Sequence, residues 1–251
     1  MKKLLCVGLA AFALIGAAIA PTWAAGEKII LVSHAPDSDS WWNTIKNGLA
    51  LAGKQVGAEV EYRNPTTGDI GDMARIIEQA AASKPQGIIT TLADFDVLSG
   101  PIKNAVAKGI PVIIINSGTP EQAAEVGALM YVGQPEYDAG LAAGQRAKRD
   151  GVKSFLCVNH VVSNPVVGER CRGFADGLGV PLGSSMIDSG QDPAEIKNKV
   201  KAYLASHPKT EAILTLGPTS ADPTIAAASA RTTRVWSTHP FVLTILLMLV
   251  T

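Results

Sequence analysis

The sequence lacks the short motifs that reveal many catalytic and nucleotide-binding sites. It contains no G-x-S-x-G nucleophile elbow, no H-E-x-x-H zinc pair, no complete G-x-x-x-x-G-K-[ST] phosphate loop and no G-x-G-x-x-G dinucleotide loop. Asp37 and Asp39 are a pair of neighbouring carboxylates, as a glycosidase would need, but no feature places an acid and a base across a scissile bond. We therefore predict that the chain is not an enzyme and needs no cofactor.

Clusters of basic residues are also missing. The chain carries 22 Lys and Arg against 22 Asp and Glu, so its formal net charge is +0, and no block of Lys or Arg stands out. Nucleic-acid-binding proteins attract phosphates through basic patches. The even charge therefore excludes nucleic acid as the expected partner.

Cysteine is scarce, with three residues in the chain. Cys6 lies at the start of the apolar run near the N-terminus and not after it, which excludes the usual lipoprotein arrangement. Cys157 falls on a predicted strand and Cys171 on the helix after it. Export would allow them to form a disulfide if that helix packs back on its strand, but two buried free thiols are the favoured interpretation, since free cysteine is commonly buried.

The N-terminus has the pattern of a cleavable secretory signal. Two lysines precede an apolar run over residues 4–20, and the small residues Thr22 and Ala24 follow. A membrane anchor is the alternative, but the run is shorter than the roughly 20 residues that a spanning helix needs. We predict a signal peptide at residues 1–24, a periplasmic mature protein and no stable membrane insertion after cleavage.

Short aliphatic runs alternate with amphipathic stretches along the mature chain. This alternation predicts right-handed βα units around a parallel sheet with helices on both faces. The first unit has strands at residues 29–32, 58–62, 88–92, 111–115 and 130–132. The pattern restarts near Tyr137, with strands at residues 155–158, 186–188 and 212–216. The predicted class is α/β, with two doubly wound parallel-sheet lobes at residues 25–133 and 134–230.

A polar loop followed by two indoles organises the first lobe. Residues 29–42 read IILVSHAPDSDSWW, a buried strand followed by a loop with one His, two Asp and three Ser. In open parallel sheets ligands bind outside the carboxyl ends of the strands. Hydroxyl-binding side chains beside flat aromatic faces suit a sugar. Trp42 also fits the buried face of the following helix, so Trp41 is the better candidate to face a ligand.

His34 and Asp94 can each be interpreted in a second way, without a role in ligand binding. His34 is either a ligand contact or a side chain that caps the loop. A metal site with Asp37 and Asp39 is disfavoured because no second histidine lies nearby, and we expect no metal. Asp94 is more readily explained as the cap of the third helix than as a ligand contact.

Five segments together resemble one family. They are IILVSHAPDSDSWWNTIKNG, GIITTLADFDVLSGPIKNAVAKGIPVIIINSG, YVGQPEYDAGLAAG, ERCRGFADGLG and AILTLGPTSADPTIAA. In this order they are similar to the periplasmic substrate-binding proteins of ABC importers, in the cluster of the ribose- and galactose-binding proteins. The resemblance implies a monomer that holds a sugar or polyol between two lobes and meets importer permease subunits. A role in sensing for a chemotaxis receptor is the alternative.

The resemblance also implies a set of ligand-binding positions. Asp39, Trp41 and Trp42 match the family's first loop, and Asn116 takes the place of a residue that is often charged. Arg170 either binds ligand hydroxyls or pairs with Glu169 and Asp176 on a solvated helix face. The complete candidate set is Ser33, His34, Asp39, Trp41, Trp42, Asp94, Asn116, Asn159, Arg170 and Thr219.

The sequence departs from the family after Ala230. The last 21 residues read RTTRVWSTHPFVLTILLMLVT and match no part of the pattern, which suggests a truncated or frameshifted reading frame. We expect residues 231–251 to be an aberrant tail, the second lobe to be incomplete and the cleft to be open on one side. The apolar run at residues 241–250 would join the sheet, if at all, as one more parallel strand.

Overall fold

The computed structural model describes residues 26–228 and the backbone of two further strands, Thr233–Ser237 and Leu246–Val250. The predicted signal peptide lies outside the described residues. Among the residues described, no helix is long and apolar enough to cross a membrane.

The first lobe is a parallel sheet with helices on both faces. Its strands are β1 (Lys28–Val32), β2 (Glu59–Arg63), β3 (Gly87–Thr90), β4 (Val112–Ile115) and β5 (Met130–Val132), in the order β2-β1-β3-β4-β5. Its helices are α1 (Trp42–Val56), α2 (Ile70–Ala82), α3 (Phe95–Ala107) and α4 (Pro120–Glu125). One core packs α2 and α3 against the sheet, and Trp42 packs α1 on the opposite face. The doubly wound arrangement predicted for this lobe is confirmed.

Helix caps explain where several helices begin. The Asp69 carboxylate accepts from the backbone N–H of Asp72 and fixes the start of α2. Thr119 and Gln122 form a reciprocal capping box at the start of α4. That six-residue helix was not predicted from the sequence, since it is too short to show an apolar periodicity.

The second lobe begins with α5 (Glu136–Arg149), β6 (Phe155–Asn159), α6 (Pro165–Leu178) and β7 (Met186–Asp188). It continues with α7 (Pro193–Ser206), β8 (Ala212–Thr215), α8 (Pro218–Ala228), β9 (Thr233–Ser237) and β10 (Leu246–Val250). The strand order is β7-β6-β8-β10-β9, with β6, β7 and β8 parallel. Helices α5 and α6 cover one face of this sheet, while α7 and α8 cover the other. Among the residues described, three of the five strands in this sheet are parallel, against all five in the first lobe, which agrees with the expectation of an incomplete second lobe.

The last two strands correct the expectation of a further parallel strand. Strand β10 joins the sheet, but it runs antiparallel to both β8 and β9. The connection between β9 and β10 spans residues 238–245. Such a short connection can join antiparallel neighbours, whereas parallel strands need a crossover of about a dozen residues or more.

Helices α5 and α6 pack with their backbones in contact. A Cβ atom added to Gly140 would lie 2.1 Å from the carbonyl oxygen of Arg170, and one added to Gly173 would lie 2.1 Å from that of Tyr137. Gly144 and Gly177 meet the opposite helix in the same way, at 2.1 and 2.2 Å. Only glycine permits this approach, so the two helices form one tightly packed unit.

A disulfide joins this unit to the sheet. Cys157 of β6 and Cys171 of α6 are bonded, with their Cα atoms 6.0 Å apart. The favoured interpretation of two free thiols is therefore wrong. The helix packs back on its own strand, and this brings the two cysteines within bonding distance.

Candidate functional site

The polar loops at the carboxyl ends of the two sheets enclose one cavity. Its volume is about 80 Å³, counted as space open to the centre of a water-sized sphere. A single water needs roughly 10–15 Å³ by this measure, so the cavity has room for several waters or a small polar molecule. The lining residues are His34, Asp39, Trp41, Trp42, Asn116, Gln134, Glu136, His160, Asn164, Val166, Val167, Arg170, Leu216, Gly217 and Pro218.

Hydrogen bonds between described residues connect the two lobes. The Asn164 side chain at the start of α6 donates to Ser117 Oγ, after β4, over 2.9 Å. The Gln191 side chain donates to the carbonyl oxygen of Gly68 over 3.4 Å. The cavity is therefore bounded by both lobes in this structure.

Aromatic side chains form the wall contributed by the first lobe. Trp42 is 2 % exposed and belongs to the core under α1, while it also reaches the cavity. Trp41 is partly buried and meets Trp42 edge to face, with ring centroids 5.3 Å apart. His34 also meets Trp42 edge to face, with ring centroids 5.7 Å apart. Trp41 thus offers the more accessible aromatic surface, as expected from the sequence.

Asp39 and His34 bring polar groups to the same wall. The Asp39 carboxylate accepts from the backbone N–H of Trp41 over 3.1 Å. Burial raises the pKa of Asp39, while the hydrogen bond from Trp41 and an interaction with the Thr219 hydroxyl act in the opposite direction. Burial, together with the nearby His160, lowers the pKa of His34 to about 3. The His34 imidazole is therefore neutral at physiological pH, and its Nδ1 lies 3.0 Å from the Thr91 hydroxyl.

Asn116 reaches the cavity from the end of β4. Its φ of 61° lies in the left-handed region, which asparagine tolerates better than most residues. The Ser117 hydroxyl donates to Asn116 Oδ1 over 2.9 Å, and the Tyr131 hydroxyl donates to the Asn116 carbonyl over 3.1 Å. These bonds hold the amide group at the rim of the first sheet.

An ion pair dominates the wall contributed by the second lobe. The Arg170 guanidinium donates to the Glu136 carboxylate through both Nε and Nη2, and its Nη1 donates to the carbonyl oxygen of Leu216 over 3.3 Å. Arg170 is 8 % exposed and Glu136 is 5 % exposed. Burial and the Arg170 charge lower the pKa of His160 to about 4, so this imidazole is also neutral.

The partners of Arg170 decide against one of the two alternatives that the sequence left open. Pairing with Glu169 and Asp176 does not occur, because Glu169 pairs with Arg172 and Asp176 accepts from the Tyr137 hydroxyl over 2.8 Å. Arg170 instead points into the cleft, where Glu136 from the start of α5 meets it.

Four residues of the predicted set do not line the cavity. Ser33 is fully buried, with its hydroxyl 2.5 Å from that of Tyr62. Asn159 is 1 % exposed and accepts from the backbone N–H of Val161 over 3.0 Å. Asp94 caps α3 by accepting from the backbone N–H of Val97, the alternative that the sequence favoured. Thr219 follows the lining residue Pro218, and its hydroxyl interacts with the lining residue Asp39. It therefore lies behind the cavity wall and is not part of the lining.

Sequence reasoning missed Glu136, His160, Asn164 and Gln134. Two of these had a usable signal. His160 comes two residues after the predicted strand at residues 155–158, and Gln134 lies at the predicted boundary between the lobes. Glu136 and Asn164 showed no such signal, since they lie at helix starts that the sequence pattern did not mark as part of the site. Within the described part of the chain, no group of three or more His, Cys, Asp or Glu side chains could hold a metal ion.

Comparison with solved structures shows the same architecture. A carbohydrate transporter from Acidothermus cellulolyticus 11B, solved in complex with myo-inositol, is 32 % identical to this chain, with a TM-score of 0.73 over 82 % of this chain and 70 % of that one. A periplasmic sugar-binding protein of an ABC sugar transporter from Legionella pneumophila is 24 % identical, with a TM-score of 0.72 over 81 % and 75 % of the two chains. The glucose-galactose binding protein GanP from Geobacillus stearothermophilus is also 24 % identical, with a TM-score of 0.72 over 82 % and 73 %.

Sequence comparison gives a family assignment. No curated protein sequence matches the chain at a significant level. The family model described as a periplasmic binding protein domain matches residues 29–242, which run from β1 to beyond β9 and leave out β10. The order of strands and the cleft between the lobes agree with that match. The chain therefore belongs to the family of periplasmic binding proteins.

Proposed function

We propose that this protein captures a sugar or related polyol between its two lobes and delivers it to the permease of an ABC importer. The observation that carries the proposal is the cavity itself. It combines the accessible indole of Trp41 with side chains from both lobes that can bond hydroxyl groups, such as Asp39, Asn116 and Arg170. The carbohydrate transporter that is 32 % identical was solved with myo-inositol, a cyclic polyol, which supports the same ligand class.

The chemistry of the lining suits a neutral ring with many hydroxyls. The indole supplies a flat apolar face for C–H groups, and the carboxylate, amide and guanidinium groups supply acceptors and donors at its edge. The two neutral imidazoles of His34 and His160 can each donate and accept hydrogen bonds. No step of bond making or breaking is required of these groups, so the protein acts by binding alone.

Ligand exchange requires the lobes to separate. The chain passes between them at residues 133–135, between β5 and α5, and Gly133 there lacks a side chain that would limit rotation. We propose an exported, monomeric protein that closes on its ligand by rotation about this crossing. X-ray scattering with and without saturating ligand tests closure: the radius of gyration should fall, and identical curves would argue against it.

A thermal-shift screen of pentoses, hexoses and cyclic polyols tests the proposed function. A ligand at about 100 times its dissociation constant adds roughly 2.7 kcal/mol to the free energy of unfolding. For a chain of this size that gain corresponds to an increase of about 5–10 °C in the melting temperature. The proposal fails if no member of the panel shifts the melting temperature of the folded mature protein.

A further inference from the structure

The cavity has an unusual charge arrangement for a site that contains a buried arginine. Five lining residues titrate: His34, Asp39, Glu136, His160 and Arg170. Both histidines are neutral, and the charge of Arg170 is met by Glu136. Asp39 adds either a negative charge or, when protonated, none. Among the described residues that line the cavity, the total charge at physiological pH is therefore not positive.

The ion pair with Glu136 offsets the charge of Arg170 and occupies the edge of the guanidinium formed by Nε and Nη2. Nε and Nη2 both point at Glu136, and Nη1 donates to the Leu216 carbonyl. Nε and Nη2 form the side edge that grips a carboxylate with two hydrogen bonds, so Glu136 already occupies this edge of Arg170. The N–H groups that remain can still donate to neutral hydroxyl oxygens. A second carboxylate in this space would face Glu136 and Asp39 without a cation of its own.

We infer that Glu136 is a specificity-determining residue: by occupying Arg170 it restricts the cleft to neutral sugars and polyols and excludes their carboxylate forms. The inference rests on the proposed function and adds the ligand's charge to it. An anion that enters a buried site without a partner loses its hydration and meets like charges, and both effects oppose binding. Removing the Glu136 charge frees the guanidinium and should reverse the preference.

Calorimetry with matched ligand pairs tests the inference. The pairs are glucose with glucuronate and galactose with galacturonate, with myo-inositol as a further neutral ligand. The wild-type protein should bind at least one neutral sugar of these pairs, with its acid about 100-fold weaker or undetectable. In E136Q, which keeps the side chain's size and one acceptor oxygen, the acid should bind at least about 10-fold tighter than in wild type, and this binding should weaken as salt is added.

Two further variants make the result specific. E169Q removes an acid on the exposed surface of α6 that pairs with Arg172 outside the cavity, so it should leave both affinities unchanged. E136Q/R170Q removes both members of the buried pair, leaves no unpaired buried charge and again offers no cation, so it should still reject the acids. Circular dichroism establishes that each variant is folded before it is titrated.

The outcomes separate this inference from the proposed function. If no neutral sugar or polyol binds the wild-type protein, the proposed function itself is refuted. If the wild type binds a neutral sugar and its acid within about 10-fold of each other, the charge selectivity is refuted while the function stands. A folded E136Q with wild-type selectivity also overturns the inference. If E136Q does not fold, the wild-type ratio and the rejection of acids by the double variant decide it.

Discussion

The contact between α5 and α6 can be tested by adding a single methyl group. In Gly173→Ala the new Cβ would lie 2.1 Å from the carbonyl oxygen of Tyr137 and 2.9 Å from the backbone nitrogen of Leu141. The first distance is about 1.4 Å shorter than a favourable non-bonded contact. Because both neighbours are backbone atoms, no change of rotamer can relieve the clash. The helices must move apart.

The expected cost follows from two opposing effects. Overpacking of this kind costs up to about 3 kcal/mol. Alanine recovers about 1 kcal/mol through its higher helix propensity. The net loss is about 2 kcal/mol, which corresponds to a fall of roughly 4–8 °C in melting temperature. Ligand affinity should fall as well, because Glu136 begins α5 while Arg170 lies on α6.

Differential scanning calorimetry of the mature protein measures this effect. Gly168→Ala is the matched control, since it lies on the same helix and a Cβ atom added there meets nothing within 4 Å. The control should be neutral or up to about 1 kcal/mol more stable than wild type. The reasoning is refuted if Gly173→Ala is as stable as Gly168→Ala.

Three further predictions concern the cleft and the second lobe. Trp41→Ala should weaken sugar binding about 10- to 100-fold in calorimetry without lowering the melting temperature of the first lobe, and unchanged affinity would contradict stacking. Reducing the Cys157–Cys171 disulfide, which closes a loop of 14 residues, should lower the free energy of unfolding in urea by about 3 kcal/mol; equal stability with and without reductant would contradict this. Stability should also fall as the pH drops from 6.5 to about 5, because His34 and His160 have folded pKa values of about 3 and about 4 while the unfolded chain takes up protons near 6.5. The free energy of unfolding should change by up to about 1.4 kcal/mol per pH unit for each histidine. A free energy of unfolding that does not change over this pH range in either the wild type or His34→Gln would contradict the prediction.

The first lobe could be predicted in detail because its signals are local. Strands such as Val112–Ile115 are continuous aliphatic runs, as expected for strands covered by helices on both faces. Asp69 marks the start of α2 with a cap that needs only the next three residues. The loop from Ser33 to Ser40 follows such a strand, so its place at the carboxyl edge of the sheet also followed from the sequence.

The second lobe was harder to predict because its important contacts join distant residues. Glu136 and Arg170 are 34 positions apart, and only the close packing of α5 on α6 brings them together. The same packing depends on glycines whose role becomes visible when the opposite helix is known. Whether Cys157 and Cys171 form a disulfide depends on how α6 packs back on β6. The spacing of apolar residues along the sequence predicts the helix and the strand but not this packing. The direction of β10 likewise follows from its pairing with β9 and not from its own apolar sequence.

The central claim is that the cavity between the lobes binds a sugar or polyol. Isothermal titration of the mature protein with the highest-ranking ligand of the thermal-shift screen tests it most directly. The account predicts one site per chain, a dissociation constant of about 1 μM or tighter, and loss of most of that affinity in Trp41→Ala. The absence of saturable heat in the folded wild-type protein, or an affinity that Trp41→Ala leaves unchanged, would contradict it.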